Sequence, residues 1–381
     1  MADGPGSLSE QTGREPFHQT LSYKPPRTIM CLSNNRYKTT RVTFSDTILL
    51  GAEVEVDGKI EHLLGYYNKV ATAGGAAQQQ QQSHLLSAGP ALTAPTRRGS
   101  RQARSSDFDW STPPEKSAKP SPVTVVGNAM LIAVPASPGT LTAANLIPVS
   151  DYPSFMQDYA KAVGPRTLPR GPLRRGGMLG SKSRSVEVVK GFDKGTYDVL
   201  IAGSAKAIAG ALDQVDPAKR PTINQELYAQ LDKLYPRWTF VLFCFAEEAA
   251  ARAGCALIRY KPMQKFSHLL YLPGLDGHNG QIETGKVELN HTLVAASCKM
   301  STTASTRAVN FSDFKLQEDL PFMPDKVLGK VVPAGTMAPQ GDFLLQLKEL
   351  RAGVFRARRA LPPGWKSVFG ESQEAPYYIQ N

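Results

Sequence analysis

The last third of the chain contains residues whose side chains could hold a metal ion or move a proton. They are His268, Asp276, His278 and His291. They would converge if the strands predicted around them formed a meander, a point that the sequence leaves open. Spacings of 10 and 13 residues between the histidines are not typical of a metal site. We therefore interpret these residues as turn and surface residues and predict no metal ligand.

Two patterns could support nucleophilic catalysis. Cys298 could act as a nucleophile with His291 as its base. The run 272–277 (LPGLDG) resembles the loop that supplies an oxyanion-hole N–H in α/β-hydrolases, but the chain has no GxSxG motif to present a serine. We predict no catalytic residue and no cofactor, and an enzyme of unknown chemistry is kept as a second alternative.

The cysteines and the N-terminus indicate the compartment. Cys31, Cys244, Cys255 and Cys298 form no CxxC pair and show no zinc-like spacing. Most lie in apolar runs, which is typical of buried free thiols in a reducing compartment. The polar start of the chain has no signal core, and no run approaches the roughly 20 apolar residues of a membrane span. We expect a cytoplasmic or nuclear protein without a transmembrane segment.

Positive charge is concentrated in two segments rich in Gly, Pro and Ser. The net charge is +11, and residues 97–119 and 166–190 carry nine of these charges. The run 168–177 (LPRGPLRRGG) resembles an Arg/Gly-rich RNA-contact segment, in which arginines neutralise phosphates and stack on bases. The predicted contact residues are Arg166, Arg170, Arg174, Arg175, Lys182 and Arg184. Nucleic-acid binding, above all RNA binding, is therefore one alternative function.

Ser100 is a candidate modification site. Two arginines, Arg97 and Arg98, precede it in a segment without hydrophobic periodicity. This pattern resembles the target of a basophilic kinase. A phosphate there would remove positive charge and offer an anion that an arginine could bind.

The C-terminal residues resemble a WW domain. The sequence LPPGW at 361–365, followed by YYIQN at 377–381, is similar to the first two strands of that three-stranded family. The resemblance implies that Trp365 packs on Pro362 and that Tyr377 and Tyr378 contact a proline-rich protein partner. The third strand is not matched. The other interpretation is a Pro-Gly turn and an aromatic tail that docks on the rest of the chain.

Hydrophobic patterns predict an α+β fold with a mainly antiparallel sheet, a few packed helices and two flexible insertions. Strands are predicted at 41–50, 52–56, 60–67, 129–134, 197–202, 238–245, 255–260, 268–272, 281–289 and 292–297. Asp57-Gly58 is predicted to be the hairpin turn before the strand at 60–67. Helices are predicted at 152–163, 204–215, 222–235 and 342–360. Thr222 and Gln225 match a capping box for the third of these helices.

The same patterns suggest five regions. They are a flexible N-terminus at 1–25, a small antiparallel β region at 26–71, a disordered Gln/Ser/Pro/Arg-rich insertion at 72–122, an α+β body at 123–340 with a flexible basic loop at 164–185, and an amphipathic helix with the WW-like tail at 341–381. Charge and modification signals fall in the insertions, and no catalytic set is evident in the body. We therefore predict a non-enzymatic protein-interaction or scaffold protein with a regulated disordered insertion.

Overall fold

The structure, a computed structural model, describes residues 42–72, 127–164, 186–222, 224–250, 252–275, 282, 285–333, 335–360 and 378–380. Within these residues it contains five helices and sixteen strands. Strands dominate and most pairs are antiparallel, so the predicted α+β class is confirmed.

The strands follow one another in chain order from β1 to β16. Their bounds are β1 Val42–Val56, β2 Lys59–Thr72, β3 Asn128–Val134, β4 Glu187–Phe192, β5 Tyr197–Ala202, β6 Thr239–Phe245, β7 Cys255–Tyr260, β8 Leu269–Leu272, β9 Lys286–Leu289, β10 His291–Ser297, β11 Arg307–Ala308, β12 Lys326–Val331, β13 Thr336–Pro339, β14 Asp342–Gln346, β15 Arg356–Ala360 and β16 Tyr378–Gln380.

The five helices are short. They are α1 Phe155–Val163, α2 Ala205–Gly210, α3 Gln225–Leu234, α4 Lys315–Asp319 and α5 Leu347–Arg351. Ser204 caps α2, where its side chain accepts from the Ala207 N–H. The cap of α3 is Asn224, whose side chain accepts from the Leu227 N–H, so the predicted capping box at Thr222 is wrong. Asn224 stands directly before the first helical residue, where an N-cap side chain reaches the third amide.

A six-stranded sheet, in the order β11-β12-β10-β1-β2-β7, lies at the centre of the fold. Its β1–β2 hairpin turns at Asp57-Gly58, as predicted, with φ of 50° and 72°. Such positive φ values at both positions suit the right-handed twist of a hairpin. β1 also pairs in parallel with β10, and β2 pairs with β7. In the predicted antiparallel β region at 26–71, β1 and β2 pair antiparallel, and they also complete a sheet with strands of the body.

Alternation along β1 gives this sheet a core on each face. Ile48 and Leu50 face α1, where they pack with Met156 and Tyr159. Leu49 lies in the other core, which includes α2, α3 and the four-stranded sheet β3-β6-β5-β4. Both faces of β1 are apolar because the strand is covered on both sides.

A second four-stranded sheet, β16-β15-β14-β8, stacks against β1. The approach is close at Gly51, where an added Cβ would lie 3.0 Å from Leu272 Cδ2. Strands β9 and β13 form a separate two-stranded ribbon. The hydrogen-bonding edge of β7 is covered, because Leu146 forms a bridge with Ile258 and the Ile147 N–H donates to the Leu257 carbonyl.

The predicted helix at 342–360 is wrong. The segment forms β14, the one-turn helix α5 and β15. Phe343 is buried and pairs with Leu272 in β8, so tertiary burial outweighs the helical spacing of the apolar residues. Gly353 adopts a φ of +84°, which ends the helical turn.

Most of the predicted insertions at 72–122 and 164–185, and the N-terminus at 1–25, lie outside the described residues. No helix in the described part of the chain is long and apolar enough to cross a membrane.

Candidate functional site

Nearly all residues that the sequence singles out for binding or modification lie outside the described residues. These are Ser100, Arg166, Arg170, Arg174, Arg175, Lys182, Arg184, Pro362, Trp365 and Tyr377. Tyr378 is the exception, because it begins β16, which pairs with β15. The predicted contacts of these residues with nucleic acid, kinase or proline-rich partner stay predictions.

Two of the four candidate metal-binding residues are described, and they differ in burial. His268 is exposed, whereas His291 is buried and its Nδ1 accepts from the Asn290 N–H at 3.0 Å. Asp276 and His278 lie outside the described residues. Across the described ranges, His, Cys, Asp and Glu form no group of three that could hold a metal ion.

The cysteines divide into two kinds. Burial raises the pKa of the Cys244 and Cys255 thiols, which favours the unreactive protonated form. Cys298 lies just after β10 and is exposed, so the expectation that it is buried is wrong. Partial burial and the nearby Glu53 carboxylate still raise its pKa, which makes it a weak nucleophile.

The most exposed large apolar side chain that the structure describes is Phe314, at 81%. It immediately precedes α4, between Phe311 and Leu316, which are both buried. The ring of Phe311 packs edge-on against Tyr159 of α1, with 5.3 Å between ring centroids. We call residues 311–319 the Phe314 platform.

Polar bonds fix this platform to the rest of the fold. Asp158 of α1 accepts from the Ser312 amide at 2.8 Å and from the Ser312 hydroxyl. The Tyr152 hydroxyl bonds to Asp319 at the far end of α4. The platform is therefore held at both ends, and Phe314 is displayed on a rigid support.

A row of polar side chains crosses the six-stranded sheet on one face. Ser297, Glu53, His62 and Tyr260 are directly paired neighbours on β10, β1, β2 and β7. We call these four residues the polar row. All four are buried, and the rings of His62 and Tyr260 meet edge to face at 5.7 Å.

Charge in the polar row is balanced by one arginine from α5. The Arg351 Nε donates to Glu53 Oε2 at 3.0 Å, its Nη2 bonds to Oε1, and the Ser297 hydroxyl donates to Oε2. Burial raises the pKa of Glu53, but these donors and the Arg351 charge together bring it below its usual value. The Glu53 carboxylate is thus ionised and held by three donors.

His62 stands beside this ion pair as a neutral base. Burial, partly offset by the Glu53 charge, lowers the pKa of His62 to about 4. Its Nδ1 is buried and makes no hydrogen bond. At neutral pH the imidazole is therefore uncharged, and the Ser297 hydroxyl donates to Glu53 rather than to His62.

Asp342 forms a second buried polar network, at the start of β14. Its Oδ1 accepts from the Gly274 and Leu275 amides at 2.8 and 3.1 Å, and its Oδ2 accepts from the Tyr235 hydroxyl at 2.8 Å. The loop that resembles an oxyanion hole thus uses its amides to bind a carboxylate of the same chain. Burial raises the pKa of Asp342 to about 6, despite these donors.

The Asp342 network borders a cavity of about 30 Å³. Tyr235, Tyr271 and Asp342 provide its polar lining. A volume of this order accommodates a water molecule, whereas organic ligands need several hundred Å³.

Sequence reasoning missed Phe314, Glu53 and Asp342. Phe314 is one of several apolar residues in a short segment of apolar and polar residues, and nothing in the sequence distinguishes it from the others. Glu53 carried a usable signal, since it interrupts an apolar run that would otherwise be a uniform strand, whereas Asp342 stands directly before an apolar run. A charged residue in a buried strand needs a partner, but the sequence does not say which one.

Comparisons with known proteins place the chain in no family. No protein-family model matches it, and no curated protein matches it. Among solved structures, the crystal structure of baculovirus P35 shares 12% identity over 89% of this chain and 86% of its own, with a TM-score of 0.30. A mutated baculovirus P35 after caspase cleavage shares 10% over 80% and 92%, with a TM-score of 0.31. Similarity at this level identifies neither a shared fold nor a shared function.

Proposed function

We propose that this chain is a non-enzymatic protein-interaction protein and that a protein partner docks on the Phe314 platform. The observation that carries the proposal is the 81% exposed ring of Phe314 on a support fixed at both ends. Scattered apolar residues on a surface are common, and many have no role. An aromatic ring on a fixed support is a better anchor, because little loop entropy is lost when it is bound.

The interior supports binding rather than catalysis. Glu53 is occupied by Arg351 and Ser297, and Asp342 by two amides and Tyr235. Carboxylates committed to structural bonds in this way are not available as general bases. In this proposal the described body is a scaffold, and regulation through Ser100 is a further part of it.

The rim of the platform indicates what the partner should present. Burial and the Asp319 hydrogen bond raise the pKa of the Tyr152 hydroxyl, and the nearby charges of Asp319, Asp151 and Asp313 raise it further. Asp151 already forms an ion pair with Lys194, so Asp313 and Asp319 supply the negative charge of the rim. We expect the partner to offer an apolar pocket for Phe314 with basic groups at its border.

The test is site-specific capture by the full-length chain in cell extract. A photoreactive benzoylphenylalanine at position 314 should crosslink one protein partner. Phe314→Ala should reduce recovery of the same partner about tenfold or more without lowering the melting temperature, since the ring is exposed. Val354→Ala, which alters an exposed apolar residue elsewhere, is the matched control.

Nuclease treatment separates the proposal from the nucleic-acid alternative. The partner should persist after nuclease. If the captured proteins disappear with nuclease, or if Phe314→Ala and Val354→Ala recover the same proteins in equal amounts, the platform is not the docking site. Loss of binding at raised salt would then favour the basic segments.

A further inference from the structure

Three segments meet at the end of the fold where β6 begins. One is 233–238 (KLYPRW), which covers the end of α3 and its link to β6, and another is 261–268 (KPMQKFSH), the link from β7 to β8. The third is the start of α5, where the Leu347 N–H donates to the His268 carbonyl at 3.0 Å. The link from β7 to β8 is therefore attached to α5.

The indole of Trp238 joins the first of these segments to the second. It is buried, and its ring centroid lies 5.1 Å from the ring centroids of Phe266 and of Tyr271 in β8. The Met263 N–H donates to the Pro135 carbonyl, just after β3, at 2.9 Å. The link from β7 to β8 is thus held on both sides, and the exposed side chains of the three segments share one surface.

Five exposed cations occupy this surface, and we call them the Arg237 patch. They are Lys233, Arg237, Lys261, Lys265 and Lys348. The stretches 233–238 and 261–268 contain no acidic residue. Among the described residues, none of the five cations forms an ion pair. The patch therefore presents positive charge to the solvent.

Acidic residues beside the patch are engaged by other groups. Asp232, which precedes Lys233, accepts from the amides of Ala205 and Lys206 at the start of α2. Glu349, which follows Lys348, forms ion pairs with two arginines of β15. These carboxylates are thus held by groups outside the patch.

The backbone of Arg237 is held in a conformation that suits another residue better. The Trp238 N–H donates to the Tyr235 carbonyl at 3.2 Å and closes a turn, in which Arg237 follows Pro236 and has a φ of 67°. A positive φ at this position of a turn favours glycine. Strained backbone of this kind is enriched at functional sites, which points to a use for the exposed arginine side chain outside the fold.

Phe266 adds an aromatic ring to the cations. Its side chain is partly exposed, and the Lys265 Nζ lies 5.0 Å from the ring centroid. Single-stranded nucleic acid binds surfaces that combine these groups, because cations contact the phosphates while bases stack on aromatic rings. An acidic peptide would use the cations but has no base to stack on the ring.

We propose that the Arg237 patch is a binding surface for single-stranded nucleic acid. The five cations would contact phosphates, and Phe266 would stack against a base. The patch belongs to the folded body and is distinct in sequence from the basic segments at 97–119 and 166–190. Trp238 and Phe266 belong to the core that contains α3, whereas the Phe314 platform packs in the other core, so the proposal does not rest on the proposed function.

The test is fluorescence anisotropy of the full chain with a labelled oligouridylate of about 20 nucleotides, at about 50 to 200 mM salt. Arg237→Gly/Lys265→Gln removes two of the five charges. We expect the affinity near 150 mM salt to fall about tenfold, and the slope of log affinity against log salt to decrease by about 1.4, or about 0.7 for each lost phosphate contact. The melting temperature should not fall, because glycine suits the backbone at position 237.

The matched control is Lys315→Gln/Lys326→Gln, which removes the same charge elsewhere. Lys315 and Lys326 are exposed, and their neighbours Leu316 and Val327 pack in the core on the other face of the six-stranded sheet. The control should weaken binding by about twofold or less. All variants retain the basic segments, so the contribution of those segments is the same in each.

Phe266 variants separate nucleic acid from an acidic protein segment. Phe266→Leu should weaken oligouridylate binding about fivefold, Phe266→Tyr should retain it, and neither should change binding of a labelled polyglutamate peptide. Equal affinities and salt slopes for the two double variants, or no binding of oligouridylate by the unmodified chain, would overturn the proposal. If polyglutamate binds as tightly as oligouridylate and Phe266→Leu leaves both unchanged, the patch serves an acidic protein segment instead.

Discussion

Glu53 and Asp342 are both carboxylates buried in strands, yet their surroundings favour opposite charge states. Burial raises the pKa of each. At Glu53 a guanidinium binds the carboxylate directly and the pKa falls below its usual value. At Asp342 the donors are two amides and the hydroxyls of Tyr235 and Tyr271, the Arg359 charge also lowers the pKa, and the pKa still remains raised at about 6. A guanidinium bonded through two nitrogens offsets desolvation at Glu53, whereas neutral donors and the Arg359 charge offset only part of it at Asp342.

The largest effect should follow from removing the positive charge at Glu53. Arg351→Met leaves a carboxylate that is 1% exposed without its counter-charge. We expect the free energy of unfolding at pH 7.5 to fall by about 3 kcal/mol, near the lower end for a broken buried pair because Arg351 itself is 38% exposed. Urea denaturation measures it.

A double variant separates loss of charge balance from loss of packing. Glu53→Gln/Arg351→Met removes both charges and should recover more than half of the lost stability. If the double variant were as unstable as Arg351→Met alone, the cost would come from packing of the arginine stem, and the electrostatic account of Glu53 would be wrong.

The neutral His62 should make the polar row sensitive to acid. Its pKa is about 4 in the folded chain and 6.5 in the unfolded chain. Between these values the unfolded chain binds more protons than the folded chain. The stability that the neutral His62 contributes is therefore complete above pH 6.5 and is lost as the pH falls to about 4. The loss is about 3 kcal/mol. Comparing the free energies of unfolding of the unmodified chain and of His62→Gln at pH 7.5 and at pH 4.5 isolates the contribution of His62.

The titration of Asp342 should change the stability with pH in the opposite direction to that of His62. Its pKa rises from 3.8 to about 6 on folding, so its contribution is complete below pH 3.8 and is lost as the pH rises through 6. Asp342→Asn mimics the protonated form. We expect it to raise the free energy of unfolding at pH 7.5 by about 2 kcal/mol and to change little near pH 4.

The pH-dependent contributions of His62 and Asp342 to stability should largely cancel in the unmodified chain. Between about pH 4 and 6, His62 adds stability as the pH rises, and Asp342 removes it. The unmodified chain should therefore show a flatter profile than either single variant, with slopes of opposite sign for His62→Gln and Asp342→Asn. Parallel profiles for the two variants would contradict the difference between the sites.

Local pattern was enough to predict much of the fold but not its assembly. The hairpin at Asp57-Gly58, the buried strand β6 and helix α1 follow from turn residues and apolar spacing, which are local properties. The parallel pairing of β1 with β10 joins Glu53 to Ser297, which is 244 residues away in the chain. No periodicity within one segment encodes such a contact.

The helix predicted over 342–360 failed for a related reason. Apolar residues at helical spacing occur there, but Phe343 is buried against β8 and Gly353 takes a positive φ. The same misassignment hid the Asp342 network, since Asp342 was assigned to a helix start. The predicted helix also includes Arg351, and its bond with Glu53 was not foreseen.

The smallest expected effect comes from removing one hydroxyl donor from each of the two carboxylates. Tyr235→Phe removes a donor to Asp342, and Ser297→Ala removes a donor to Glu53. Each should cost about 1–2 kcal/mol at pH 7.5, where both carboxylates are ionised. At pH 5 Asp342 is mostly protonated and needs the Tyr235 donor less, whereas Glu53 remains ionised because Arg351 holds its pKa down. The cost of Tyr235→Phe should therefore shrink at pH 5 while that of Ser297→Ala stays constant, as measured by urea denaturation at both pH values. If the two costs changed together with pH, the direct counter-charge would not be what distinguishes Glu53 from Asp342.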